Sequence, residues 1–417
     1  MNEETTWAPP VYDLETSPQK TASFKLCSNT ADNENFVRCA KISPDGSSFI
    51  AQCEDHSLQL FDFPNAPGAT GPGSDPPETS PRLSLKQGAP VVDFAWFPSA
   101  SRHDSASYCF ATSVRECPVK LIDATTGKLR ASYRIVDHRE RHIAPHSLAF
   151  TFGGDRLFCG FEDAIEVFDV GQPGEGTRRH TTLSKKSKDG LKGIISAIAF
   201  STHNSTSSDA LFAAGSLTPI PGNIALYTDL KDEALMFIGG GPRAGVTQLQ
   251  FNHYRPHVLY AAYRGVANGT LYSWDIRSRV DVPLAVYDAR PEGGEEATRN
   301  QRLRFDLDIG GRYLGTGNWA GEVALFDVAK IEQELGAGIG DELKLDFLDD
   351  AVEVQPTTRF KAHEDTVTAV AFQPWKAEML TVSGSRHFHV GEDDPDQVKR
   401  FDNSITSWDV SPAQRTE

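Results

Sequence analysis

An all-β, seven-bladed propeller of the WD-repeat type is the fold class this sequence predicts. Three observations lead there. The stretch from Asn268 to Arg277 is a tight Asn-Gly turn followed by a short alternating strand that ends on Trp274-Asp275, the closing phrase of a Trp-Asp repeat. Worn copies of that phrase recur along the chain, ending at Asp62, Asp123, Asp169, Tyr227, Asp327 and Asp409. Between them lie short runs of Val, Ile, Leu, Phe and Tyr bounded by turn residues, with no sustained helical periodicity, which excludes a doubly wound α/β fold.

The elements follow in order. Residues 1–30 are expected to be an N-terminal segment that closes the last blade, with a strand at Phe24–Cys27. The propeller is expected over 31–410 and a C-terminal tail over 411–417. Blade 1 runs from Phe36 to Phe63, its first turn set by Pro44-Asp45-Gly46. The Pro-, Gly- and Ser-rich stretch 64–81 is expected to be a flexible loop, because that composition cannot pack. Blade 2 covers 83–134. Blades 3, 4 and 5 have inner strands ending at Phe150, Phe200 and Phe251. Blade 6 has Arg302 to Asp306 as its inner strand, and an acidic insert at 329–356 is expected between blades 6 and 7. Blade 7, the most regular, closes on Ile405 to Asp409.

Each regular repeat of this type is tied by a His, a Ser or Thr, an Asp and the Trp. Blade 7 supplies His363, Ser383, Asp402 and Trp408. Elsewhere the set is eroded: Asp55 faces Phe61 in place of Trp, and Trp274 has Asn268 in place of Asp. These residues read as a structural network. The blades must then cohere mainly through apolar packing, at roughly 25 cal/mol per Å2 buried.

Composition narrows the function. With 417 residues, 39% hydrophobic and 24% charged, the chain is globular, and no apolar run approaches a membrane span. Met1 to Trp7 has neither a basic start nor an apolar core, so no secretory signal is expected. Six cysteines without a CxxC pair fit a reducing compartment. A net charge of −16 excludes bulk nucleic-acid binding and leaves only a local basic patch. His138, His142 and His146 lie four apart, but Pro145 breaks the helix a metal face needs. Gly336 to Gly340 follows no strand and lacks a phosphate-loop Lys. No Ser or Cys has a nucleophile's setting. A non-enzymatic protein with no metal, cofactor or small-molecule substrate is expected.

Several phrases resemble the telomerase Cajal body WD-repeat protein family: Leu129 to Tyr133, Ala144 to Phe150, Leu157 to Phe161, Gly193 to Phe200 and Asn300 to Asp308, with Asn35-Phe36 before blade 1. The resemblance implies a nuclear protein, in the Cajal body or nucleoplasm, that binds small Cajal body RNA, telomerase RNA included. It implies a role in assembling or delivering such particles with their ribonucleoprotein proteins. Shorter fungal relatives look tied to pre-mRNA splicing. The vertebrate pattern's long N-terminal tail is expected to be missing, and the acidic insert and the long loop of blade 7 are this chain's own. A monomeric propeller is expected. The alternative is a protein-only scaffold in a nuclear splicing complex.

In a propeller, the loops leading into each inner strand share a face with the turns between second and third strands. Candidates for RNA on that face are Arg139 and Arg141 before blade 3, then Lys185, Lys186, Lys188 and Lys192 before blade 4. Arg243 precedes blade 5, and Arg299 and Arg302 precede or begin blade 6. The turns add Arg115, Arg264, Trp319 and Arg386. Lys and Arg neutralise phosphates, and Trp319 is expected to stand exposed where it can stack a splayed base.

Overall fold

The computed structural model describes residues 8–27, 35–64, 78–182, 189–202, 209–265, 269–291, 300–330, 351–386 and 402–412. Lys185, Lys186, Lys188, Arg299, Asn268, most of the 64–81 loop and the bulk of the acidic insert lie outside these residues.

The strands form seven sheets with antiparallel cores, six of them with their strands in chain order from the inside outward and the seventh completed by N-terminal strands: a seven-bladed β-propeller. Blade 1 comprises Val37–Ile42, Ser48–Cys53, Ser57–Asp62 and Leu83–Lys86. Leu83–Lys86 therefore ends blade 1, and does not begin blade 2; it pairs along Ser57–Asp62. Blade 2 is Val91–Trp96, Cys109–Val114, Val119–Asp123 and Leu129–Tyr133. Blade 3 is Ser147–Phe150, Arg156–Phe161, Ala164–Asp169 and Thr177–His180. Blade 4 is Ile195–Phe200, Leu211–Ser216, Ile224–Thr228 and Met236–Ile238.

Blade 5 is Val246–Phe251, Val258–Tyr263, Thr270–Asp275 and Ala285–Asp288, with a fifth, parallel strand at Val352–Val354. Blade 6 is Asp306–Leu307, Tyr313–Gly317, Glu322–Asp327 and Thr358–Lys361. In chain order the stretch 329–356 thus comes before the outer strand of blade 6, and not between blades 6 and 7. Blade 7 is Val367–Phe372, Glu378–Ser383 and Ile405–Asp409. Its outer strand is Gln19–Phe24, antiparallel to Ile405–Asp409 and five residues earlier than the strand expected at Phe24. Glu78–Thr79 adds a parallel strand beyond it.

The second strands carry the densest apolar content and are almost wholly buried, as in Ser48–Cys53 and Val258–Tyr263. Seven apolar clusters fill the seams, and most of them mix side chains of neighbouring blades. The turn at Pro44-Asp45-Gly46 shows the local logic. Gly46 takes φ +68°, and the Asp45 carboxylate accepts from Ser43 Oγ at 2.6 Å and the Ser47 amide at 3.0 Å.

One irregularity positions the functional face. Five inner strands slip register at the same place, between Val37 and Cys39, Val91 and Asp93, Ile195 and Ala197, Val246 and Gln248, and Val367 and Ala369. A bulge re-aims the extra residue. Ser196 and Thr368, at that position, donate to the carbonyls of Val246 (2.6 Å) and Val37 (2.8 Å) on the next blade. Arg38 occupies the same position in blade 1.

Candidate nucleic-acid interface

The second-to-third turns fold back onto the segments leading into the inner strands. The Arg115 amide donates to Pro90 O at 3.0 Å, the Arg264 amide to Gly245 O at 2.9 Å and the Gly384 amide to Thr366 O at 3.0 Å. This places Arg115, Arg264 and Arg386 on one face with the starts of the inner strands, around the mouth of the central channel.

The structure brings arginines from several blades together there. Arg302 is half-buried, and burial lowers its pKa to about 10, helped by the positive charges of Arg304, Arg38 and Arg264; Asp93 opposes the shift. Burial likewise holds His146 below its ordinary value, with Arg302 and Arg115 reinforcing it. Burial also lowers Arg38, against the attraction of Glu54 and with the repulsion of Arg386 and Arg304. Each cation is thus within electrostatic reach of others.

Carboxylates offset this cluster only in part. Glu54 is shared by Arg386 at 2.5 Å and Arg38 at 3.5 Å. Arg304 donates to Thr247 O at 2.8 Å. The guanidinium groups of Arg115, Arg264 and Arg302 have no hydrogen bond or ion pair among the described residues. On the opposite face nearly the reverse holds. Arg82 and Arg102 pair with Asp62 at 3.1 and 3.2 Å, Arg130 with Asp123 at 2.7 Å, Arg277 with Asp275 at 2.6 Å and Arg312 with Asp327 at 2.8 Å. Arg156 and Arg179 share buried Asp229.

The remaining candidates separate from the cluster. Arg141 is tied to Asp137 at 2.8 Å, on the loop where Arg139 stands exposed. Arg243 is exposed before blade 5, and the Lys192 carbonyl is held by Ser216 and Thr218. Trp319 is not the exposed platform expected. It is half-buried against Gly269, where a Cβ would meet its ring at 3.4 Å. Arg38, Arg304 and His146 are the members that charge counting in loops overlooks, since they sit on or at the start of inner strands. For Arg38 the available signal was a charged residue at the bulge position, where blades 4, 5 and 7 carry Ser196, Thr247 and Thr368.

Beneath the mouth the channel encloses about 530 Å3, lined by Lys41, Asp93, Gln248, Arg304 and Asp306 among others. Two carboxylates fasten it. Asp93 of blade 2 accepts from Lys41 of blade 1 at 3.1 Å and the Leu148 amide of blade 3 at 2.8 Å. Asp306 of blade 6 accepts from Gln250 of blade 5 at 3.0 Å and the Phe372 amide of blade 7 at 2.9 Å.

The repeat network in blade 7 is a relay. Trp408 Nε1 donates to Thr381 Oγ1 at 2.8 Å, and His363 Nε2 lies 2.7 Å from the same oxygen. His363 Nδ1 lies 2.8 Å from Ser404 Oγ, which donates to Asp402. Burial disfavours the Asp402 charge, but bonds from His363, Ser404 and the Glu364 amide outweigh it and hold the carboxyl far below its usual range. Ser383 is not a member, contrary to expectation. Met379 lies opposite Trp408, so Thr381 is the diagonal neighbour of the ring and Ser383 is a further pleat away, its hydroxyl buried and unpartnered. Trp274 reaches blade 4 instead, donating to Gly239 O at 3.0 Å. Asp55 closes its own turn through Ser57 at 2.6 Å and Lys86 at 3.1 Å.

Among the described residues no group of His, Cys, Asp and Glu is arranged to hold a metal ion, and no helix is long and apolar enough to cross a membrane.

No family model matches the chain. Individual relatives do. Telomerase Cajal body protein 1 of Mesocricetus auratus is 32% identical over 358 residues, which is 86% of this chain and 60% of that protein. The Homo sapiens protein of the same name is 32% identical over 85% of this chain and 58% of its own length. The guanine nucleotide-binding protein negative regulator 1 of Schizosaccharomyces pombe is 29% identical over 68% of each chain. The chain therefore spans about 60% of the length of the mammalian relatives it matches.

Proposed function

Over the span of its propeller the chain belongs to the telomerase Cajal body WD-repeat family, and from that premise we propose that it is a non-enzymatic nuclear protein that binds a small RNA at the arginine-lined channel mouth. The RNA is of the Cajal body or spliceosomal class, and the propeller presents it to the proteins of its particle. One observation carries the reading. Arginines of the far face are paired with carboxylates, whereas Arg115, Arg264 and Arg302 converge without forming an ion pair among the described residues. Clustered like charges, with Arg302 half-buried among them, raise the free energy of the free protein, and a phosphate backbone relieves it. Arg guanidinium also suits phosphate by its forked geometry and stacks on bases exposed in single strands. On a protein of net charge −16, such binding must be local and strongly salt-dependent.

The test is crosslinking of the chain to RNA in cells with sequencing of what is retained, followed by binding of the recovered RNA in vitro. Arg264→Glu is expected to weaken binding by roughly tenfold and to reduce the salt slope by about 1, leaving the unfolding midpoint unchanged. No small nuclear RNA above background, or unchanged binding by Arg264→Glu at fixed salt, removes this reading.

A further inference from the structure

The outer edge of blade 4 differs from every other edge in the ring. Outer strands expose unpaired backbone groups and are ordinarily protected by charge or by cover. Here blade 1 carries Lys86, blade 2 Arg130, blade 3 Arg178 and Arg179, and blade 6 Arg359 and Lys361. Blades 5 and 7 are covered by parallel fifth strands of the chain itself, Val352–Val354 and Glu78–Thr79. Blade 4 ends on Met236–Ile238, with neither. Of the eleven large apolar side chains exposed among the described residues, two are in this strand, Met236 (38%) and Phe237 (41%), and two precede it, Leu230 (68%) and Leu235 (44%).

We propose that the blade 4 edge is a docking site for an extended segment of a protein partner, which adds as a fifth strand with apolar residues over Met236 and Phe237 and basic residues at its ends. The mode is one the fold already uses on blades 5 and 7. Strand addition draws affinity from main-chain hydrogen bonds and specificity from alternate side chains. The basic ends follow from the flanks. Asp232 and Glu233 precede the strand, and Asp281 lies at its other end, against Gly239 and Gly240. Asp232 and Asp281 remain 73% exposed although each has an arginine within 3.5 Å. The same charges disfavour a second copy. A twofold pairing of two such edges is antiparallel and sets the acidic start of one against the acidic end of the other, between chains of net charge −16.

The full chain is titrated calorimetrically with a synthetic strand-forming peptide, Lys-Lys-Val-Thr-Val-Thr-Val-Lys-Lys, and with the same peptide carrying Pro at its centre. Backbone hydrogen exchange is followed at 235–238. The expected result is saturable binding of the first peptide alone, with slowed exchange at the edge. Met236→Lys with Phe237→Lys should weaken it at least about tenfold. Phe237→Thr, which keeps strand propensity, should also weaken it without changing the far-UV spectrum. Binding that ignores these substitutions, or no protection at the edge, overturns the proposal. So does slow exchange, in the free chain, of the amides at 235–238 that do not pair with Ile224–Thr228, which assigns the edge to a segment of the chain itself. Self-association relieved by the substitutions assigns it to a second copy and overturns it equally. Retention of RNA at the channel mouth is a separate measurement that none of these outcomes affects.

Discussion

At the scale of the residue, burial decides which charges are free to act. Most arginines among the described residues are paired with a neighbouring carboxylate, and Arg115, Arg264 and Arg302 at the channel mouth are distinguished by having no such partner there. Asp306 shows the opposite case, an acid held in the channel wall. Burial pushes its carboxyl from 3.8 up to about 6, against the hydrogen bonds from Gln250, Phe372 and Leu307. The folded state therefore keeps a proton that the unfolded chain loses near pH 4. The stability this proton contributes is fully present below that value and is lost as pH rises through about 6. Asp306→Asn cannot ionise. Its altered hydrogen bonding shifts stability by an amount independent of pH. The wild type should lose about 2–3 kcal/mol relative to the variant between pH 4 and pH 7, read from urea unfolding across that range. A parallel pair of pH profiles would show that Asp306 does not titrate there.

At the scale of the element, the single regular repeat and the bulged inner strands explain what was legible. The Trp-Asp endings mark third strands because the hydrophobic alternation and the turn residues both survive in the sequence. That is why seven blades could be counted from residues alone. Membership of the blade 7 relay depends on cross-strand register, which alternation does not reveal, so the sequence points to Ser383 where Thr381 and Ser404 act. The arginine cluster was legible in part: Arg115 and Arg264 sit in recognisable turns, whereas Arg38 and Arg304 owe their aim to bulges and to the irregular inner strand of blade 6. Thr381→Val removes the oxygen that joins Trp408 to His363 and leaves two buried groups unpaired. It should cost about 2–3 kcal/mol. Ser383→Ala removes a hydroxyl without a partner and should be nearly neutral. Equilibrium denaturation of both variants distinguishes them, and equal losses would contradict the relay.

At the scale of the whole molecule, a propeller is stable only as a closed ring, because each blade buries its faces on its neighbours. Closure is made by residues far apart in sequence. Gln19–Phe24 completes blade 7, and Phe24 turns its ring into blade 1, edge-on to Phe49 at 4.9 Å, Phe61 at 5.7 Å and Phe63 at 6.0 Å. Thr368 binds Val37 O across the same seam. The channel mouth spans this seam, since Arg38 and Glu54 belong to blade 1 and Arg386 to blade 7. Loosening the closure should therefore loosen the candidate RNA face, although Phe24 is buried in the seam core and is not among the residues proposed to touch RNA. Phe24→Ala leaves a cavity that should cost about 3–5 kcal/mol. Hydrogen exchange should accelerate first in blades 1 and 7, and RNA affinity should fall with it. Faster exchange spread evenly over all seven blades would mean that the ring yields as one unit and that the seam has no separate stability.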